Sequence, residues 1–192
     1  MTLLALIRHM PTVWNSEGRL QGQRDTALDL DAVPAWQLPP ELAGFRFIAS
    51  PLTRALDTAH RLGIVPRVEP RLIEMSWGEW EGCTLPELRD RFRGTLDDLE
   101  AQGLDFRTPG GESPRDVQAR VRPLLAEIAA AGEPTAAVTH KGVIRAVFAL
   151  ATGWNMLGKP PHRLSWSAAH LLRLGADGEP RIERLNLPLE AP

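Results

Sequence analysis

The chain has 192 residues, 43% of them hydrophobic and 24% charged, with a formal net charge of −2. That length suffices for one domain, residues 1–192, with a sizeable core, and the near-neutral balance provides no general field for nucleic acid or an anionic membrane. A single cysteine, Cys83, rules out an intrachain disulfide framework and a four-thiolate metal site. The apolar start is too short, and too soon interrupted by Arg8, for a signal peptide or membrane span, so a cytoplasmic location is expected.

Leu3-Leu4-Ala5-Leu6-Ile7 reads as a buried strand, and Arg8-His9 follows at its C-terminal edge, where α/β proteins place their chemistry. Residues 10 to 44 read as mostly irregular, punctuated by Pro34, Pro39 and Pro40. Phe45 to Ala49 is a second strand. Ser50 is read as the N-cap of the next helix and Pro51 as its first residue, which sets Arg54 in the first turn, where the helix dipole favours anions. Arg67 to Glu69 forms a short strand. Leu85 to Arg93 is a helix with Leu85, Leu88 and Phe92 on its inner face and Arg89 and Arg93 sharing an outer one. Ser113, Pro114 and Asp116 open a further helix through a capping box, with Val117, Val121, Leu124, Leu125 and Ile128 inward and an end near Gly132. Thr135 to Thr139 repeats the opening pattern: a buried strand with a histidine, His140, at its edge, then a helix from Lys141. Two such strands in parallel would bring His9 and His140 together. A terminal hairpin takes residues 168–185.

Four stretches carry a resemblance. They are Arg8-His9-Met10-Pro11-Thr12-Val13-Trp14-Asn15 with Gly18 to Gly22, Ser50-Pro51-Leu52-Thr53-Arg54-Ala55-Leu56-Asp57-Thr58-Ala59, Leu72-Ile73-Glu74 through Gly82, and Thr139-His140-Lys141-Gly142-Val143-Ile144-Arg145. In this order they resemble the motifs of the histidine phosphatase (phosphoglycerate mutase-like) superfamily, phosphatase branch. The resemblance implies a three-layer α/β/α sandwich around a mixed, mostly parallel central sheet. It implies phosphoryl transfer through a phosphohistidine on His9, with Arg8, Arg54 and His140 around the transferred group and Glu74 as proton donor. Asn15, Gln21 and Gly22 fall at phosphate- or substrate-contacting positions. Neither metal nor cofactor is implied, and the partner is a small phosphorylated metabolite. Glu79 and Glu81 are assigned to a solvated face, Trp77 and Trp80 to packing, and His60, His162 and His170 to structural or surface positions. The helix that normally follows in the family is expected to be shortened or displaced by the prolines after Asp25, since proline inside a helix costs about 3 kcal/mol.

Two residues depart from the pattern. Met10 and Lys141 stand where the family has glycine, a residue often needed for positive φ or close approach to a ligand. Lys141 is expected to add a cation at the pocket rim and to favour a substrate with a second acid group. A mutase, which returns the phosphoryl group to substrate, and a phosphate-binding protein without turnover are the alternatives. The substrate and the oligomeric state are left open by the sequence.

Overall fold

The fold is described from a computed structural model, covering residues 1–92 and 95–189. In chain order its regular elements are β1 (Thr2–Arg8), α1 (Val13–Ser16), β2 (Arg46–Ala49), α2 (Thr53–Arg61), β3 (Arg67–Val68), α3 (Leu85–Arg91), α4 (Thr95–Glu100), α5 (Pro114–Ala131), β4 (Thr135–Thr139), α6 (Lys141–Thr152), β5 (Ala168–Leu174) and β6 (Pro180–Pro188). The strands form one sheet in the order β3-β2-β4-β1-β5-β6. Strands β1 to β4 run parallel, and β5 and β6 add an antiparallel hairpin at one side.

Strand periodicity explains the layers. Successive side chains of β1 point to opposite faces, so Leu4 and Leu6 pack against Val121, Leu125, Val143 and Ile144 of α5 and α6. Ala5 and Ile7 face the other way, onto Ala55 and Ala59 of α2 and onto Trp36 and Leu42. The result is the expected α/β/α sandwich. Strand β4 is buried along its whole length, as befits a central strand covered on both faces, and pairs with β1 through Leu4↔Thr135 to Arg8↔Thr139. That register sets the last residues of the two strands side by side.

Capping follows the sequence in α5. Ser113 Oγ accepts from the Asp116 N–H, Asp116 reaches back to Ser113, Pro114 takes the first position, and Gly132 ends the helix at φ 70°. The five residues expected inward on α5 are all buried.

Two expectations are corrected. Helix α2 begins at Thr53 with Leu52 as its N-cap residue, and Ser50 does not cap it. Its first turn is instead held by Asp25, whose carboxylate accepts from Thr53 N at 2.9 Å and Thr53 Oγ1 at 2.6 Å. Leu85 is exposed and only Leu88 of α3 is fully buried, because the capping box at Thr84 fixes Leu85 at the helix start, on its outer side. Arg93, paired with Arg89 in the sequence reading, lies outside the described residues, and Arg89 is exposed. The proline-rich segment goes further than expected: residues 17–39 contain no helix, and a short 3-10 turn, Pro40–Leu42, leads into β2.

Candidate active site

The site forms where β1 and β4 end. His9 follows β1, donates its backbone N–H to the Thr139 carbonyl at 2.9 Å and is almost wholly buried. Its Nδ1 lies 2.7 Å from the Met10 carbonyl oxygen. A carbonyl can only accept, so the ring proton sits on Nδ1 and the lone pair on Nε2. Burial, and then the charges of Arg8 and Arg54, push the imidazole pKa well below its ordinary 6.5, so the ring is neutral.

His140 follows β4, and the two rings lie with centroids 5.2 Å apart. It is fully buried, between Ser50 Oγ at 2.6 Å from Nε2 and Arg54 Nε at 3.3 Å from Nδ1. Arginine cannot accept, so Nδ1 carries the lone pair and Nε2–H donates to Ser50. Burial lowers this pKa too, helped by His9 and the neighbouring arginines.

Arg54, the second residue of α2, is a fully buried cation held by main-chain oxygens: Gly22 O and Arg24 O, each at 2.7 Å. Gly22 itself has φ 54°, and a Cβ there would collide with the Glu81 carboxylate. Arg8 is half-buried with its guanidinium 5.6 Å above the Trp166 ring, and its Nε is buried without a hydrogen-bond partner.

Glu74 is buried, its Oε1 accepting from Met75 N at 2.8 Å and its Oε2 from Gly142 N at 3.2 Å. Burial raises its pKa above 4.5 against the pull of these two N–H groups, Arg54 and Arg8. The glycine at 142 leaves room for this carboxylate: a Cβ there would come 2.5 Å from Glu74 Oε1, so a larger residue displaces it. A neutral imidazole with an outward lone pair, two arginines and a carboxyl disposed to hold its proton can attack, bind and protonate a tetrahedral oxyanion group.

The structure brings His9, His140, Arg8, Arg54 and Glu74 together. Gly22 joins them through its carbonyl. Asn15 and Gln21 are engaged locally: Asn15 Oδ1 accepts from Thr12 in the capping box of α1, and Gln21 Oε1 accepts from Thr26 Oγ1 at 2.5 Å. Among the described residues neither is hydrogen-bonded to the histidine pair. Lys141 begins α6 with its Nζ 5.5 Å from the Trp166 ring.

Met10 does not need glycine's freedom. Its φ is not positive, its side chain is buried among Ile7, Ala55 and Val138, and its N–H donates to Thr58 Oγ1 at 2.8 Å. Glu81 is not a solvated residue. Its Oε1 accepts from the N–H groups of Gln23 at 2.9 Å and Trp77 at 3.1 Å, because two loops converge on it. Glu79 is exposed as expected, and Trp80 packs in a satellite core with Leu88. Sequence reasoning missed Ser50 as the partner of His140, Gly142 as the space for Glu74, and Trp166. The first two stand inside the recognised motifs, which was their only signal; Trp166 had none.

The architecture is that of a phosphoglycerate mutase-like α/β protein. The sequence profile of the histidine phosphatase superfamily (branch 1) matches residues 4–188. A glucosyl-3-phosphoglycerate phosphatase of Mycobacterium tuberculosis (strain ATCC 25618 / H37Rv) is 35% identical over 172 residues, 76% of this chain and 73% of that protein. A 2,3-bisphosphoglycerate-dependent phosphoglycerate mutase of Azorhizobium caulinodans is 31% identical over 192 residues, 91% of this chain and 93% of that protein. The native structure of a mycobacterial glucosyl-3-phosphoglycerate phosphatase superposes with a TM-score of 0.76 at 27% identity, covering 100% of both chains. The chain belongs to branch 1 of the histidine phosphatase superfamily.

Proposed function

We propose that this protein hydrolyses the phosphomonoester of a small metabolite through a phosphohistidine on His9, within one domain and without a metal. The observation that carries the reading is the hydrogen bond between His9 Nδ1 and the Met10 carbonyl, which leaves the Nε2 lone pair inside a ring of cationic and proton-donating groups. In the first step Nε2 attacks phosphorus and the P–O ester bond breaks. The Glu74 carboxyl gives its proton to the leaving alkoxide oxygen. In the second step water attacks the phosphohistidine, its proton returns to the Glu74 carboxylate, and orthophosphate leaves with His9 neutral again. Arg8 and Arg54 stabilise charge on the transferred oxygens, the task that a magnesium ion performs in other phosphoryl transferases, and His140, whose Nδ1 accepts from Arg54 Nε, holds that guanidinium in place.

The similarity to glucosyl-3-phosphoglycerate phosphatase supports hydrolysis, and the mutase relative supports a second reading in which the phosphoryl group returns to substrate. Both predict a trapped phosphohistidine, and only the first predicts net release of orthophosphate. The test is orthophosphate release from an aryl phosphate in the presence of a chelator, beside the His9→Ala variant. Release that survives chelation and falls by about 10⁴-fold or more in the variant supports the reading. Phosphohistidine formation without release favours the mutase, and neither signal with any phosphomonoester overturns both.

A further inference from the structure

Beside Lys141 a cavity of about 440 Å³ opens between α6 and the segment that leads to β5. Its lining includes Lys141 and Arg145 of α6, Lys159 and Arg163 of the connecting segment, and the rings of Trp154 and Trp166, with no carboxylate. Elsewhere the cations of this protein are commonly matched: Arg46 by Glu133, Arg71 by Glu69 and Glu127, Arg115 by Asp105, Arg173 by Glu183. None of the four cavity cations has an acidic partner within 4 Å among the described residues. Two of them lean on aromatic faces instead, Lys141 on Trp166 at 5.5 Å and Arg145 on Trp154 at 5.1 Å. Four like charges gathered around one recess repel one another even though Lys141, Lys159 and Arg163 reach solvent, and a bound anion offsets that repulsion.

Position and size narrow the ligand. Lys141 directly follows His140, and Trp166 lies under both Lys141 and Arg8, so the cavity and the phosphate site share a wall. The volume falls in the range of about 300–1,000 Å³ typical of sites that enclose whole organic ligands. We propose that this cavity is a leaving-group subsite, which takes a second anionic group, carboxylate or phosphate, borne on a ring-sized alcohol whose phosphomonoester reaches His9. The inference rests on the hydrolytic reading above and adds the shape and charge of the alcohol.

The test uses the full chain and three non-hydrolysable phenylphosphonates whose 4-position carries a carboxylate, a second phosphonate or a neutral carboxamide. Binding is measured by calorimetry at low ionic strength, in parallel with kcat/KM for the corresponding phenyl phosphates. The two anionic ligands are expected to bind about tenfold or more tightly than the carboxamide, their order telling which anion the subsite prefers. In the double variant Lys159→Ala/Arg163→Ala, at two exposed positions, that ratio is expected to fall toward one. Equal affinities for the three ligands, or a preference that survives in the double variant, would overturn the subsite. An anion preference in binding without turnover of any phenyl phosphate keeps the subsite and removes the hydrolytic reading; turnover without the preference does the reverse.

Discussion

The two strand ends at the centre of the sheet look alike and are wired in opposite senses. His9 and His140 each follow a buried strand, and each is buried and neutral, yet they present different nitrogens. His9 gives its Nδ1 proton to the Met10 carbonyl and keeps the Nε2 lone pair. His140 gives its Nε2 proton to Ser50 and keeps Nδ1 for Arg54. Position on a sheet edge therefore does not distinguish an attacking group from a binding one. The partner of the second ring nitrogen does.

The largest effect expected from breaking this asymmetry separates the rings outright. His9→Ala is expected to abolish phosphohistidine trapping along with turnover, whereas His140→Ala lowers the rate by about 10²–10³-fold and still yields the trapped species, because only the partner that orients the charge-stabilising Arg54 is lost. Rapid-quench labelling reads the difference; trapping in His9→Ala, or its absence in His140→Ala, would reverse the assignment.

Next in size is the carboxyl. Glu74→Gln is expected to cost about 10²–10⁴-fold with an alkyl phosphate and less with an aryl phosphate, whose leaving group needs little protonation. The pH profile carries the same information. His9 has a lowered pKa and must be neutral to attack, so activity persists below 6.5 and is lost as pH falls through that depressed value. Glu74 has a raised pKa and must be protonated, so activity declines as pH climbs through a value above 4.5. A basic limb that remains in Glu74→Gln would assign the proton to another group.

A smaller effect is expected at Ser50. Ser50→Ala removes the acceptor of the His140 Nε2 proton and frees the ring to turn, with a rate loss of about tenfold and no change in trapping, since misplacement of a binding group by about 1 Å costs up to 10²-fold. A rate equal to that of the unaltered protein would show that Arg54 alone orients the ring. Last is Met10→Gly, expected to leave chemistry nearly intact while lowering stability by about 2–5 kcal/mol, because it empties a fully buried site. Thermal or denaturant melts measure it, and a gain in activity would contradict the packing argument.

What could be read from the chain alone follows a physical divide. The strands announce themselves because a central strand must be apolar on both faces, as in Leu3–Ile7 and Thr135–Thr139. The capping of α5 announces itself because Ser113, Pro114 and Asp116 act within four residues. The two histidines could be placed together because parallel pairing sets strand ends level. Ser50 was misread because it satisfies a local cap rule equally well. Its actual partner, His140, follows β4, the neighbouring strand, and lies 90 residues away in sequence. Glu81 was misread for the same reason: its charge suggested solvent, and only the convergence of the Gln23 and Trp77 backbones turns it inward. The glycine that matters after the second histidine is Gly142 rather than the residue before it, a distinction that depends on where Glu74 lies in space.

The bond from His9 Nδ1 to the carbonyl of its own neighbour has a consequence for evolutionary drift. Every amino acid carries that oxygen, so exchanging the side chain at position 10 leaves the orienting acceptor in place. A family glycine can give way to a methionine that deepens the core, and the lineage explores new packing at the residue beside its reactive atom. At position 142 the latitude is narrower, since any side chain there takes the space of the Glu74 carboxylate and displaces the group that carries the proton.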